Sequence, residues 1–257
     1  MKVVILAGGM GKRIGEESHL RPKPMIEIGD RPILWHIMKW YSSFGYNEFV
    51  ICCGYKGYMI KDYFLKYYAY HGDGIFNLQS GQQKNIEIPK EPWKVTLANT
   101  GLKTNTAGRI LGIKEYVGDS SFMLTYGDGV SDVNIPELLA CHQKSNKLVT
   151  ITVTQPEGRF GVVQIKEDGT VSKFKEKARK DQSWVNAGFM VMEPEIFEYL
   201  GDGSEMLEDG PFERLAADNQ MNAFRHEGFW SPMDTVRDRD YLESLWKQNL
   251  APWIVKK

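Results

Sequence analysis

An uninterrupted apolar run, Val3-Val4-Ile5-Leu6, passes through Ala7 straight into Gly8-Gly9-Met10-Gly11-Lys12-Arg13. Such a run has no polar face to offer water, so a strand made from it must be covered on both sides. Glycines at its end let backbone N–H groups come close to a phosphate, and the two cations that follow neutralise it. This junction fits a sheet of parallel strands that binds its ligand at the strands' carboxyl ends. The competing reading is a tight turn with exposed bases. It does not explain why the loop starts where a buried strand stops.

The rest of the first half repeats the theme. A basic loop reaches to about Gly29, and then Ile33, Leu34, Ile37, Met38, Tyr41 and Phe44 recur at helical spacing, with Gly45 just beyond. Phe49 to Cys52 reads as a second strand, closed by Gly54. Met59, Ile60, Tyr63, Phe64, Tyr67 and Tyr68 form a second helical stripe. Residues 69–93 break the rhythm and read as an insertion of short strands and loops. A helix is expected over Thr106 to Val117 and a strand over Phe122 to Thr125. Another helix is expected from Ile135, capped at Asn134 with Pro136 in its first turn, and another strand over Val149 to Val153. After Pro156 the pattern turns strand-rich. Asp168-Gly169 marks a hairpin, Trp184 to Met192 a strand, and helices follow over 195–200, 211–218 and 236–247. The fold class is α/β: a Rossmann-like mixed, mainly parallel sheet with helices on both faces and a strand-rich second half.

Charge and cysteine usage narrow the partners. Among 257 residues, 32 Lys and Arg face 33 Asp and Glu, for a net charge of -1. No general attraction to nucleic acid or an anionic membrane surface follows from that balance. No window approaches the roughly 18 apolar residues of a membrane span. The apolar run at the amino terminus is too short for a signal peptide and is broken at once by glycine. Cys52, Cys53 and Cys141 match neither a disulfide framework nor a zinc pattern, and read as reduced thiols of a cytoplasmic protein.

The glycine loop departs from two well-known phosphate binders. A Walker A loop ending at Gly11-Lys12 needs glycine where Leu6 stands and Ser or Thr where Arg13 stands. The dinucleotide fingerprint needs its third glycine at Ile14, although Gly15 supplies a looser spacing. No acid follows the second strand to hold a ribose, so an NADP-dependent oxidoreductase stays open as a weaker reading. In Arg21-Pro22-Lys23-Pro24, two prolines hold a cation in a stiff, extended segment suited to a second phosphate. Asp128, between two glycines at a strand's end, suits Mg²⁺, though an Asx-type turn would explain it equally well. Asp234 precedes the last helix, where an N-cap is the plain explanation. The five histidines are scattered, and His36 reads as a packed, hydrogen-bonded residue.

The assembled motifs resemble the sugar-phosphate nucleotidylyltransferases. The carriers are Leu6–Arg13, Pro22-Lys23-Pro24, Gly127-Asp128, Arg159-Phe160-Gly161-Val162-Val163, Phe174-Lys175-Glu176-Lys177, Asn186-Ala187-Gly188-Phe189 and Pro232-Met233-Asp234-Thr235. Position 12 is Lys where many relatives carry a small hydroxyl residue, Ala107 replaces a common glycine, and Ala178 replaces a usual proline. The resemblance implies one nucleotidyltransferase domain over 1–257, with 69–93 as an inserted arm and 156–235 as the sugar-phosphate-binding half. It implies CTP and α-D-glucose 1-phosphate as substrates, with CDP-glucose and pyrophosphate as products. It places CTP on Leu6, Ala7, Gly8, Gly9, Met10, Gly11, Lys12, Arg13, Lys23, Thr104, Thr106, Arg109 and Asp128. The sugar phosphate falls to Gly161, Glu176, Lys177 and Val185, Mg²⁺ to Asp128 and Asp234, and the catalytic cations are Arg13 and Lys23. Partners beyond the two substrates are copies of the chain itself, in a homo-oligomer whose subunit count stays open, a hexamer being one candidate; neither nucleic acid nor membrane is expected. The arm's Tyr70, Ile75, Phe76, Leu78, Ile86, Ile88 and Trp93 would then meet a neighbouring subunit. Transfer of another nucleotide or sugar, and a non-catalytic nucleotide-sugar sensor, remain alternatives.

Overall fold

The computed structural model describes residues 1–11, 14–85, 91–156, 162–165, 170–175 and 183–254. Among them, seven strands form one sheet: β1 (Val3–Ala7), β2 (Glu48–Cys53), β3 (Lys94–Asn99), β4 (Phe122–Tyr126), β5 (Val149–Thr154), β6 (Val185–Met192) and β7 (Met221–Arg225). Across the sheet the order is β3-β2-β1-β4-β6-β5-β7. β6 runs antiparallel to β4 and β5, and the other pairings are parallel. The expected mixed, mainly parallel sheet is therefore present.

β1 sits near the middle and explains its own composition. Val3, Ile5 and Ala7 point into one apolar layer, Val4 and Leu6 into the other, and all five are buried. The first layer holds Leu34, Ile37 and Tyr41 of the helix Ile33–Ser43, with Leu242 and Trp253 from the end of the chain. The second holds Ile110, Val117, Ile196, Leu200 and Leu215. With helices on both faces, little of the central sheet faces water, which is why β1 and β2 read as continuous apolar runs.

Chain direction reverses beside β1. Successive strands β2 and β3 lie on one side of it and β4 on the other, which opens a crevice at the carboxyl ends of β1 and β4. Because β6 is antiparallel, its amino end, with Val185 and Asn186, reaches this same edge.

Several local expectations need correction. β3 and β7, unmarked by the sequence pattern, are the sheet's two edges. Each packs against one neighbour only, so less of its surface has to be apolar. The helix expected over Thr106 to Val117 is two, Thr106–Leu111 and Lys114–Val117, separated at Gly112-Ile113. The tyrosine stripe likewise divides into Gly57–Leu65 and Tyr67–His71, so the first residues of the arm are still helical. The arm continues as an antiparallel hairpin, Gly74–Asn77 with Gln82–Asn85. The basic loop contains a short helix, Glu16–Leu20, and a 3₁₀ turn, Lys23–Met25. The helix expected at 195–200 is 3₁₀, Pro194–Tyr199. The hairpin after Pro156 pairs Val162–Ile165 with Val171–Lys175, and its Asp168-Gly169 turn lies outside the described residues. No helix among the described residues is long and apolar enough to cross a membrane.

Candidate active site

Three residues far apart in sequence meet at the crevice. The Nζ of Lys23 lies 3.1 Å from Asp128 Oδ2 and 2.6 Å from Asp234 Oδ1. Lys23 is only 6% exposed, so its charge is compensated by these carboxylates more than by water.

Each member has a local reason for its position. Pro22 is extended, but Lys23 opens a 3₁₀ turn in which Met25 N–H donates to Pro22 O at 2.8 Å. The stiffness expected of the prolines is there, with a tight turn in place of an extended segment. The short strand that follows, Glu27–Ile28, is held by His36, whose Nε2 lies 2.9 Å from Ile28 O. Since a carbonyl can only accept, that nitrogen carries the hydrogen. Burial pushes His36 down to about 4, so the imidazole is neutral at pH 7. This agrees with its reading as a packed, hydrogen-bonded residue.

Asp128 follows the end of β4, and Gly127 N–H donates to Leu6 O at 3.0 Å, fixing that turn against β1. Asp234 does not cap the last helix. Thr235 does so, in a reciprocal box with Asp238. One residue upstream of the cap, the Asp234 carboxylate turns to Lys23 instead.

Arg109 braces the glycine loop from below. It is buried, and its guanidinium donates to Gly8 O at 3.0 Å, to Thr100 Oγ1 at 2.8 Å and to Gly101 O at 2.8 Å. Burial lowers its pKa below the usual guanidinium range. A methyl group at Gly8 would overlap the guanidinium, so glycine is required there by close approach. At Gly9 a methyl group would meet nothing, and the residue is exposed at the mouth. Leu6 and Ala7 are buried as whole residues at the end of β1, where they pair with Cys52 and Cys53 of β2.

A second polar group lines the same edge, and the sequence reading missed it. Glu208 accepts the Tyr126 hydroxyl, and Thr106 Oγ1 donates to its other oxygen at 3.2 Å. Asn186 Nδ2 donates to Tyr126 OH at 3.4 Å. Burial, with Glu208 beside it, pushes the Tyr126 phenol far above its normal range. Glu208 stands in an irregular segment with no motif around it, so the sequence offered no signal for it.

Other expected site residues are placed less closely. Thr104 touches the Gly101 turn, and Val185 begins β6 opposite Thr154. Met10 is exposed at the loop tip, and Gly11 takes a positive φ of 64°. Lys12, Arg13, Gly161, Glu176 and Lys177 lie outside the described residues.

A sequence profile of the nucleotidyl transferase family matches residues 2–246. The chain belongs to this family. It is 46% identical to a glucose-1-phosphate cytidylyltransferase of Salmonella typhimurium, over 98% of either chain. It is 27% identical to a mannose-1-phosphate guanylyltransferase catalytic subunit beta of Dictyostelium discoideum, over 95% of this chain and 64% of that one. In fold it is similar to a UDP-glucose pyrophosphorylase from Acinetobacter baumanii, with a TM-score of 0.69 at 16% identity, covering 97% of this chain and 95% of the other.

The donor set at Lys23 suits the divalent cation that nucleotidyl transferases use. Two carboxylates converge on one point of positive charge, the Lys23 ammonium. Hard cations such as Mg²⁺ take one or two carboxylates and complete their shell with phosphate oxygens and water.

Proposed function

We propose that this nucleotidyl transferase makes CDP-glucose and pyrophosphate from CTP and α-D-glucose 1-phosphate. The observation that carries the chemistry is the meeting of Lys23, Asp128 and Asp234 beside the glycine loop. The choice of base and sugar is supported by 46% identity to the Salmonella cytidylyltransferase over nearly the whole chain. The reaction forms a bond from a sugar-phosphate oxygen to the α-phosphorus of CTP and breaks the α–β phosphate bridge.

The chain's task is positioning and charge neutralisation. The Leu6–Gly11 backbone receives the triphosphate. Lys23 and Arg13 hold the α-phosphate and the leaving pyrophosphate. Thr104, Thr106 and Arg109 shape the nucleotide side, with Arg109 acting through the Gly8 carbonyl. Gly161, Glu176, Lys177 and Val185 form the sugar-phosphate side. Asp128 and Asp234 hold Mg²⁺, which when bound supplies Lewis-acid stabilisation of the phosphate oxygens. No Ser, Cys or His nucleophile is needed.

Two further readings go with this one. The hairpin of the arm exposes Ile75, Phe76 and Leu78, the last 93% exposed, which supports contact with a second copy of the chain. The three free thiols support a reducing, cytoplasmic setting.

Pyrophosphate release, measured over four nucleoside triphosphates and several sugar 1-phosphates, tests the assignment. CTP with glucose 1-phosphate should give the highest kcat/KM. A different preferred pair overturns the base or sugar. Asp128→Asn and Asp234→Asn should each lower turnover on the order of a hundredfold, about 2.7 kcal/mol of transition-state stabilisation. Near wild-type turnover of either variant at limiting Mg²⁺ removes that residue from the metal site.

A further inference from the structure

Asp128 and Asp234 are joined by a very small piece of structure. Gly129–Ser131 pairs antiparallel with Trp230–Pro232 in a two-stranded ribbon, in the register Gly129↔Pro232, Val130↔Ser231 and Ser131↔Trp230. Asp128 precedes one strand and Asp234 follows the other, so the ribbon's register sets their separation. A ribbon this short is weak on its own, and Pro232 has no N–H to give to the ladder. At the carboxylate end, Met233 N–H donates to Asp128 O at 2.7 Å.

The opposite end is gripped by side chains. His226 Nε2 lies 3.0 Å from Asp132 Oδ1 and 3.1 Å from Phe229 O. Both are pure acceptors when the carboxyl is ionised, so Nε2 carries the hydrogen and spans the two strands. Asp132 also accepts Phe229 N–H at 2.7 Å, and Ser131 Oγ donates to Phe229 O at 2.7 Å. His226 is buried, and its own N–H donates to Val153 O at 2.9 Å, which anchors it to β5. The backbone makes room for this grip. A methyl group at Gly228 would lie 2.5 Å from Asp132 Oδ1 and 2.6 Å from His226 Cε1.

We propose that the His226–Asp132 pair is a positioning device for the metal site, holding the ribbon's register, and through it the spacing of Asp128 and Asp234, against the main sheet. A slip of one residue would move one carboxylate by about 3.3 Å along its strand and turn alternate side chains to the other face. Mg²⁺, which demands near-ideal octahedral geometry at about 2.0–2.1 Å, does not tolerate such a shift. The inference rests on the reading of Asp128 and Asp234 as metal ligands.

The test measures how far Mn²⁺ tightens binding of α,β-methylene CTP, by comparing affinities with Mn²⁺ and with EDTA. Electron paramagnetic resonance of the bound Mn²⁺ and a thermal melt are recorded on each variant. Asp128→Asn and Asp234→Asn should abolish the tightening; if they do not, the metal reading itself fails. His226→Ala and Asp132→Ala should reduce the tightening about tenfold, leave the metal-free affinity within about twofold, and change the Mn²⁺ line shape. Asp132→Asn, which keeps an acceptor for both donors, should restore most of it, and serves as the folded comparison if the alanine variants are unstable. Alanine variants that melt earlier yet keep full Mn²⁺ tightening overturn the proposal. So does an Asp132→Asn variant no better than Asp132→Ala.

Discussion

Lys23 holds carboxylates 105 and 211 residues further along the chain. If Asp128 and Asp234 take a divalent cation, it enters where the Lys23 ammonium stands in the free protein, and the two then compete. In Lys23→Met the carboxylates lose that counterion. The expected outcome is a melting temperature several degrees lower at low salt, largely restored by millimolar Mg²⁺, with tighter Mn²⁺ binding by nucleotide-free protein in calorimetry. Weaker Mn²⁺ binding would mean that Lys23 does not compete with the cation. His36 gives a pH signature of its own. Its pKa falls from 6.5 to about 4 on folding, so in that window the unfolded chain binds a proton that the native chain does not. Stability is then full above pH 6.5 and declines as pH falls toward 4, with a slope near 1.4 kcal/mol per pH unit from this one group. Urea midpoints at pH 7 and pH 4.5 should differ less in His36→Gln than in the wild type. Much of this site was legible as separate residues. Lys23, Asp128 and Asp234 each stand beside proline or glycine or at a strand's end, where the chain must turn. Their meeting was legible only through the family resemblance, because it depends on a ribbon closed by residues a hundred positions apart. Glu208 was not legible at all, since nothing in an irregular segment marks which carboxylate faces the crevice.

Among the elements, legibility followed burial. β1, β2, β4 and β6 are covered on both faces and read as apolar runs. The edge strands β3 and β7 carry Lys94, Thr96, Asn222 and Arg225 and do not. Helix ends were legible where a cap is chemical, as at Asn134, whose side chain accepts Glu137 N–H. They were missed where a break depends on packing, as at Gly112 and Lys66. The hairpin of the arm is the element whose composition least suits exposure to water. Ile75, Phe76 and Leu78 are exposed on it. Phe76→Ser with Leu78→Ser should shift wild-type oligomers to smaller particles in size exclusion with light scattering. A wild-type chain that already elutes as a 29.4 kDa monomer would end the oligomer reading.

At the scale of the molecule, the sheet separates two apolar layers, and the adjacent thiols fall on opposite sides of it. Cys52 faces one layer and Cys53 the other. Burial pushes them up to about 12 and about 11, which suppresses the thiolates that alkylating reagents need. Cys141, half-buried on a helix with Asn222 Nδ2 at 3.3 Å from its sulfur, belongs to neither layer. Mass spectrometry after timed iodoacetamide treatment should find Cys141 labelled first. Cys52 and Cys53 should follow later and together, at the rate of global unfolding; early labelling of either would show that the layers open separately. The long reach from Lys23 to Asp234 also bears on how the protein is born. Synthesis delivers the glycine loop, Lys23 and Asp128 while more than a hundred residues are still to be made, and a domain folds as a unit. The first apolar layer is not complete until Leu242 and Trp253 arrive, so the crevice waits for the end of the chain. Only when the ribbon closes does the lysine gain both partners, so a chain cut short of Asp234 should show no turnover.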